Sequence, residues 1–338
     1  MKLYGGIDLH SNNSVVVLQD EADRVVYQKR LANDLVTVLE ALEPHREAVT
    51  GLVVESTYNW YWLVDGLIDH GYRVHLANTA AIQQYTGLKY TDDHSDARWL
   101  AKLLRLGLLP EGYIYPKAER AVRDLLRKRS QLVRQKVTQM LSIQNLYSRN
   151  TGARPSANPL RQLRVEQIEA DFDLPELALA ASSNLRVLRC LETEVAQLED
   201  EVKARVKLKP AFQKLLTVDG IGLILGMTIM LETGDINRFA KVGNFASYCR
   251  CVDSQKLSNG KRKGRGNTKN GNKYLAWAFV EAANFAIRYN PQVKRFYQRK
   301  CAKTQRIVAL KAVAHKLARA CYYIMRDEVT FDSDKAFG

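Results

Sequence analysis

The stretch KLYGGIDLHSNNSVVVLQDEADRVVYQKR, residues 2–30, decides how the N-terminal part of the chain folds. KLYGGIDLH is a short apolar run that closes on an acid, Asp8. SVVVLQD and RVVYQKR are β-branched runs separated by a polar turn, the pattern of a meander. Three strands in succession fit a fold that opens on a meander better than one that alternates strand and helix from its first element. GGID is not GxGxxG, so dinucleotide binding has no support.

Downstream, the period of the apolar residues changes. DLVTVLEALEPHRE (34–47) has helical spacing, and TGLVVEST (50–57) reads as a buried strand. YWLVDGLIDHG (61–71) is helical and stops at a glycine, and YRVHLAN (72–78) is another strand. YTDDHSDARWLAKLLRLG (90–107) starts a helix near Ser95, with Ala97, Leu100, Ala101 and Leu104 on one stripe. Three strands followed by βα units match an α/β ribonuclease-H-like (RuvC-like) domain over 1–110. Residues 111–208 read as long helices with a coiled-coil character. Pro116 opens one of them, with nine Lys/Arg and two acids over 116–150. In the other, Leu188, Val195 and Val202 hold one heptad position and Leu191 and Leu198 the second. That seam fits a partner in the chain or in another protomer equally well. Residues 209–338 read as an all-α domain, interrupted by one polar segment. Within it Gly220-Ile-Gly222 has the shape of a helix-hairpin-helix turn, and close helix packing explains it as well.

At 338 residues the chain is long enough for two or three domains. Its net charge of +15, from 51 basic and 36 acidic residues, points to a polyanionic partner, nucleic acid first. No apolar run reaches membrane-spanning length, and MKLYGGIDLH lacks a signal-peptide layout, so a cytoplasmic protein is expected. The five cysteines form no CxxC pair, which argues against a zinc site or a disulfide framework.

Asp8 and Glu55 close the first and fourth strands, which lie side by side in such a sheet. Asp93 and Asp96, three apart, share a helix face. Four carboxylates at one point repel and raise each other's pKa, unless a hard divalent cation sits among them. Two Mg²⁺ ions would hold the attacking and leaving oxygens of a phosphodiester. Taken alone, DDHSD also reads as a helix start, with Asp93 or Ser95 as the N-cap. His10 and His94 read as structural or supporting. YNWYW (58–62) reads as packing more than base stacking. SQKLSNGKRKGRGNTKNGNK (254–273) has seven Lys/Arg and no acid, a loop suited to tracking phosphates. Ser258 lies in it, where Lys261, Arg262 and Lys263 would stabilise an attacking alkoxide.

GIDLH, VVEST, YTDDHSDARWLAKLLRLGLLPEGYIYP and VDGIGLILGMTIMLETGDINRF…SNGKRKGRGNTKNGNKYLAWAFVEAA together resemble the DEDD transposases of the IS110 insertion-sequence family, specifically its IS1111 branch. The resemblance runs nearly end to end. It implies catalytic, metal-holding acids at Asp8, Glu55, Asp93 and Asp96, with Asp92 a neighbouring alternative to Asp93. It also implies a nucleophilic serine at Ser258, with Ser254 a lesser candidate. The family's Ser-Gly-Gly-Lys reads Ser258-Asn-Gly-Lys261 here. The implied protein is an RNA-guided recombinase: a structured bridge RNA pairs with donor and target DNA, and the serine forms a phosphoserine link. A homodimer would assemble to a tetramer, in the cytoplasm and at the nucleoid of a prokaryote. Lys256, Lys261, Arg262, Lys263, Arg265 and Lys269 would hold phosphates. The helix carrying Arg127 and Arg134 would run along a duplex. The rivals are a metal-dependent Holliday-junction-type nuclease without a serine nucleophile, and a non-enzymatic RNA-binding protein.

Overall fold

The computed structural model describes residues 1–82, 92–206, 210–253, 255–265 and 270–338; of residues 255–257, 262 and 265 it describes the backbone alone. The chain divides into two compact units, 1–117 and 118–338.

The first unit contains strands β1 (Leu3–Leu9), β2 (Asn13–Gln19), β3 (Val25–Ala32), β4 (Val49–Glu55), β5 (Val74–Ala77) and β6 (Glu111–Gly112). Between them run helices α1 (Leu35–Leu42), α2 (Tyr61–Asp69) and α3 (Asp93–Arg105). The six strands form one sheet in the order β3-β2-β1-β4-β5-β6. β1–β2 and β2–β3 pair antiparallel, whereas β1–β4 and β4–β5 pair parallel. A parallel pair needs a crossover, and α1 and α2 supply the two crossovers.

Alternation along β1 assigns its two faces. Leu3, Ile7 and Leu9 join Val16, Leu18, Leu52 and Val54 in a core sealed by Val38 and Leu42 of α1 and Leu63, Val64 and Leu67 of α2. Trp60 belongs to that core, so the central ring of YNWYW packs, while Tyr58 is exposed. Gly6 and Asp8 point the other way, toward α3. On that face Val15 and Val17 pack on Ala97, and Val53 and Ala77 pack on Leu100. A Cβ on Gly6 would lie 1.9 Å from the Ala97 carbonyl oxygen and 2.9 Å from the Ala101 nitrogen. Only glycine lets α3 lie this close to β1.

The second unit opens with two long helices, α4 (Lys117–Thr151) and, after the short α5 (Ala157–Gln162) and α6 (Val165–Ala170), α7 (Pro175–Val206). Arg129–Glu199, Lys136–Glu192 and Asn184–Ser142 contacts step along both helices in opposite directions, which makes α4 and α7 an antiparallel hairpin. Leu188, Val195 and Val202 of the heptad seam are buried. The remaining helices are α8 (Pro210–Leu215), α9 (Leu223–Thr233), α10 (Val242–Tyr248), α11 (Lys273–Tyr289), α12 (Pro291–Cys301), α13 (Arg306–Asp327) and α14 (Ser333–Phe337). α9 is buried along nearly its whole length and packs against α7, α8 and α11. Gly220 abuts α11, where a Cβ would lie 2.5 Å from the Ala282 carbonyl, so close packing accounts for the first glycine of Gly220-Ile-Gly222.

Between α10 and α11, β7 (Gln255–Ser258) and β8 (Lys261–Arg265) form a two-stranded antiparallel hairpin. The composition suggested a loop; the pairing is instead set by Asn259-Gly260, whose φ values of 49° and 70° make the two-residue turn whose twist suits adjoining strands. Among the described residues, no helix is long and apolar enough to cross a membrane.

Candidate active site

Register assembles the acids. Ile7 pairs with Val54, so Asp8 and Glu55 come next on neighbouring parallel strands. Asp8 faces α3 and is buried, with 4% exposure. α3 begins at the same edge. Its N-cap is Asp92, not Asp93 or Ser95: an Asp92 carboxylate oxygen accepts the Ser95 backbone N–H at 2.7 Å, and Ser95 Oγ accepts the Asp92 N–H at 2.8 Å. With Asp92 fixed in the cap, Asp93 and Asp96 lie in the first turn, on the side of Asp8.

Three ligand atoms from Asp8, His10 and Asp93 lie within 4.8 Å of one another. His10 Nε2 is 3.3 Å from Asp8 Oδ2 and 3.2 Å from Asp93 Oδ2. The His10 carbonyl accepts bonds from the side-chain amides of Asn33 and Asn59, each at 2.9 Å, which fix the chain just past β1. Arg30 of β3 donates to Asp93 Oδ2 at 2.6 Å. Hence Asp93 is held below its ordinary value, first by the Arg30 bond, with His10 adding to it. Glu55 behaves oppositely. Burial, followed by a hydrogen bond and repulsion from Asp8 and repulsion from Asp96, pushes it up to about 8. Asp96 is also raised, by burial first and then by Asp8 and Asp93. The four acids therefore form one electrostatic group within residues 1–117. Hard carboxylate oxygens, two of them in groups whose pKa is raised by burial first and by neighbouring carboxylates second, suit a hard divalent cation.

Sequence reasoning missed Arg30 and underrated His10. Arg30 pairs with Val15, and Val15 with Asp8, so a row across three strands carries the guanidinium to the acids. That row needs the full register, which a single sequence does not display. His10 carried a local signal, two residues past Asp8, but lies beyond the end of the strand.

The basic segment is divided between stem and tip. Ser258 is exposed and lies opposite Lys261 across the turn. Lys263 is exposed as well. Lys256, Arg262 and Arg265 contribute backbone to β7 and β8, and Ser254 and Lys269 lie outside the described residues. The stem is clamped. Arg250 donates to the carbonyls of Asn270 (3.0 Å) and Gly271 (2.9 Å), and the Asn272 N–H donates to the Tyr248 carbonyl at 2.6 Å. Asn272 then caps α11 and donates through its amide to Glu232 at 2.7 Å. Glu232 also takes a two-pronged pair from Arg127, at 2.6 and 2.7 Å. Arg127 is thus engaged within its own unit, against Glu232 and over the Tyr274 ring, while Arg134 is exposed two turns along α4.

A family model described as the transposase family of IS116, IS110 and IS902 matches residues 212–298, and a second, for DEDD transposases of IS110, matches residues 5–148. A probable family 20 transposase of Pseudomonas aeruginosa is 26% identical over 148 residues, 43% of this chain and 44% of the relative. A putative transposase of Sinorhizobium fredii is 26% identical over 78% of this chain and 65% of its own length. The transposase for insertion sequence element IS1111A of Coxiella burnetii is 27% identical over 31% of this chain and 30% of its own length. The chain thus spans less than two thirds of each of these relatives. The two models between them take in the acid cluster and the serine hairpin, and the chain belongs to the IS110 family of transposases.

Proposed function

We propose that this chain moves an insertion element by cutting and rejoining DNA. The observation that carries the reading is the gathering of Asp8, Glu55, Asp93 and Asp96 at one sheet edge in a member of this family. The strand order β3-β2-β1-β4-β5, with its antiparallel and then parallel pairing, supports a ribonuclease-H-like domain over 1–110. The buried heptad seam supports a coiled-coil segment over 111–208, followed by the helical transposase domain over 209–338.

The four acids would hold Mg²⁺, two ions by the number of carboxylates, with His10 beside them. Bound there, the metal supplies Lewis-acid polarisation of a phosphodiester oxygen. Arg30 and His10 orient Asp93. Ser258 Oγ gives up its proton and bonds to phosphorus; the displaced sugar oxygen leaves as a hydroxyl. Attack by a second strand's hydroxyl on the phosphoserine reverses the step and frees the serine, with no net hydrolysis. Lys261 and Lys263 stabilise the charge on the phosphoryl oxygens, together with Lys256, Arg262, Arg265 and Lys269. Arg134 contacts a duplex along α4. Donor and target DNA, a structured bridge RNA that pairs with both, and a dimer that becomes a tetramer complete the reading, at the nucleoid of a prokaryotic cytoplasm.

A second reading is a junction nuclease in which water attacks. It is favoured by the acid cluster being complete within residues 1–117, without Ser258. A nicked DNA substrate separates the two. The transposase reading expects a denaturation-resistant protein–DNA adduct, lost in both Ser258→Ala and Asp8→Asn. Undiminished cleavage by Ser258→Ala overturns the serine's role. Full activity in Glu55→Gln overturns the role of the acids.

A further inference from the structure

The 45 residues from 282 to 326 contain eleven Lys and Arg and no Asp or Glu. They build the end of α11, all of α12 and nearly all of α13. The inner face of α11 is ordinary core: Ala282, Ala283 and Ala286 are fully buried. The outer face is not. Phe285 is 42% and Tyr289 64% exposed, with their rings 6° from parallel and centroids 6.5 Å apart, and Arg288 is exposed between them. Trp277, two turns earlier, is 40% exposed. Directly beyond, α12 presents exposed Lys294, Arg295, Arg299 and Lys300. The charges crowd: burial, then Arg319, Lys300 and Arg299, hold Lys316 of α13 below its ordinary value. Asp327 pairs with Arg326 at the end of this stretch and Asp334 meets Gln292 at the start of α12, but the exposed Lys294, Arg295, Arg299 and Lys300 still make a positive face of the kind a polyanion relieves.

We propose that the outer face of α11 and the cations of α12 dock an unpaired DNA strand. Exposed aromatic rings stack on base faces, which a duplex hides within its own stack, and cations alongside take the phosphates. DNA is chosen because Asn272, which caps α11, closes the segment carrying Ser258, so α11 is the next helix along the chain from the serine to which a DNA strand would be joined. Phe285 is 13 residues into α11, about 20 Å at ~1.5 Å per residue, a reach of a few nucleotides. To that extent the inference rests on the proposed role of Ser258.

The test uses the full chain with Ser258→Ala, so that no adduct forms. Fluorescence anisotropy follows a labelled oligodeoxyuridine of about 16 nucleotides, the matching oligouridine and a DNA duplex, between about 50 and 200 mM NaCl. Phe285→Ala with Tyr289→Ala is expected to weaken single-stranded DNA binding about 10-fold or more, leaving its salt slope and the duplex unchanged. Arg295→Ala with Arg299→Ala is expected to weaken binding and flatten the slope by about 1.4, at ~0.7 per phosphate. Unchanged DNA affinity in both double variants overturns the proposal. So does a loss larger for RNA than for DNA, or a change in sedimentation without one in binding, which assigns the face to a second copy of the chain. A wild-type chain that forms no adduct while docking behaves as described overturns the reading of Ser258 alone. An adduct that forms normally with docking unaffected by the variants overturns this inference alone.

Discussion

Asp8 sits in a sheet covered on both faces, whereas Ser258 sits near the tip of a two-stranded hairpin, where Ser258, Lys261 and Lys263 are exposed. The acids are placed by burial. Sheet register, the close approach of α3 and a capped helix start leave them little freedom, and the strain appears as the raised pKa of Glu55. The serine is placed by its stem. Arg250, Asn272 and the Glu232–Arg127 pair clamp the base, and the tip depends on one turn. In the proposed mechanism, one half of the chemistry would thus be organised in advance, at an electrostatic cost that a cation would remove, and the other half would be left open to a strand.

The contrast breaks most readily at Gly6. Gly6→Ala places a methyl against the backbone of α3, which cannot swing aside as a side chain would. A loss of about 3 kcal/mol is expected, the upper end for overpacking, because the helix must move. Chemical denaturation reads it, and metal-dependent cleavage should fall in parallel. An unchanged midpoint would mean that α3 is not held against β1.

pH sharpens the same contrast. The Glu55 pKa rises from 4.5 unfolded to about 8 folded, so its protonated form favours the native state. That contribution is complete below the unfolded value and is lost as pH rises through about 8. The metal-free chain should therefore lose stability between pH 5 and 8, and Glu55→Gln should flatten that loss. Mg²⁺ should reverse it, binding more tightly as pH rises and releasing a proton. A denaturation midpoint that is level across this range in the wild-type chain would remove Glu55 from the cluster.

Much of this was legible in advance. Asp8 and Glu55 follow from strands that end in acids, and the face of α3 follows from its apolar stripe. What escaped has a common cause: it depends on which of several adequate partners is taken. Asp92, Asp93 and Ser95 are all good caps, and only the backbone angle at Asp92 decides among them. Arg127 and Arg134 look alike in a basic helix, yet Glu232, about a hundred residues on, takes the first. The heptad seam could not name its partner, and within the chain that partner is α4. Asn259-Gly260 was readable as a hairpin turn, but the density of charge and glycine around it suggested a loop.

The choice of cap gives a smaller and more discriminating effect. Asp92→Ala removes the bond to the Ser95 N–H and should cost about 1 kcal/mol, with metal binding retained. Asp93→Ala should barely change stability, because its pair with Arg30 is about 40% exposed, and should weaken Mg²⁺ binding measured by calorimetry. The opposite pattern would exchange the two residues' roles.

The smallest effect on stability belongs to the hairpin. Gly260 has φ 70°, and a β-branched residue there is strained. Yet nothing lies within 4 Å of a Cβ at this position, and the hairpin tip belongs to no core cluster. Gly260→Val should therefore leave the global midpoint within about 0.5 kcal/mol of wild type, as surface changes do. The strain of the closed turn, about 1–3 kcal/mol, is instead relieved by local opening of the tip, which leaves the core folded but loses the turn that sets Ser258 opposite Lys261. Adduct formation should fall about 10-fold, the equivalent of about 1.4 kcal/mol, while Mg²⁺ binding by the acid cluster stays unchanged. Loss of metal binding in this variant would mean that the two sites are not built independently, and that the serine's hairpin helps to shape the acids as well.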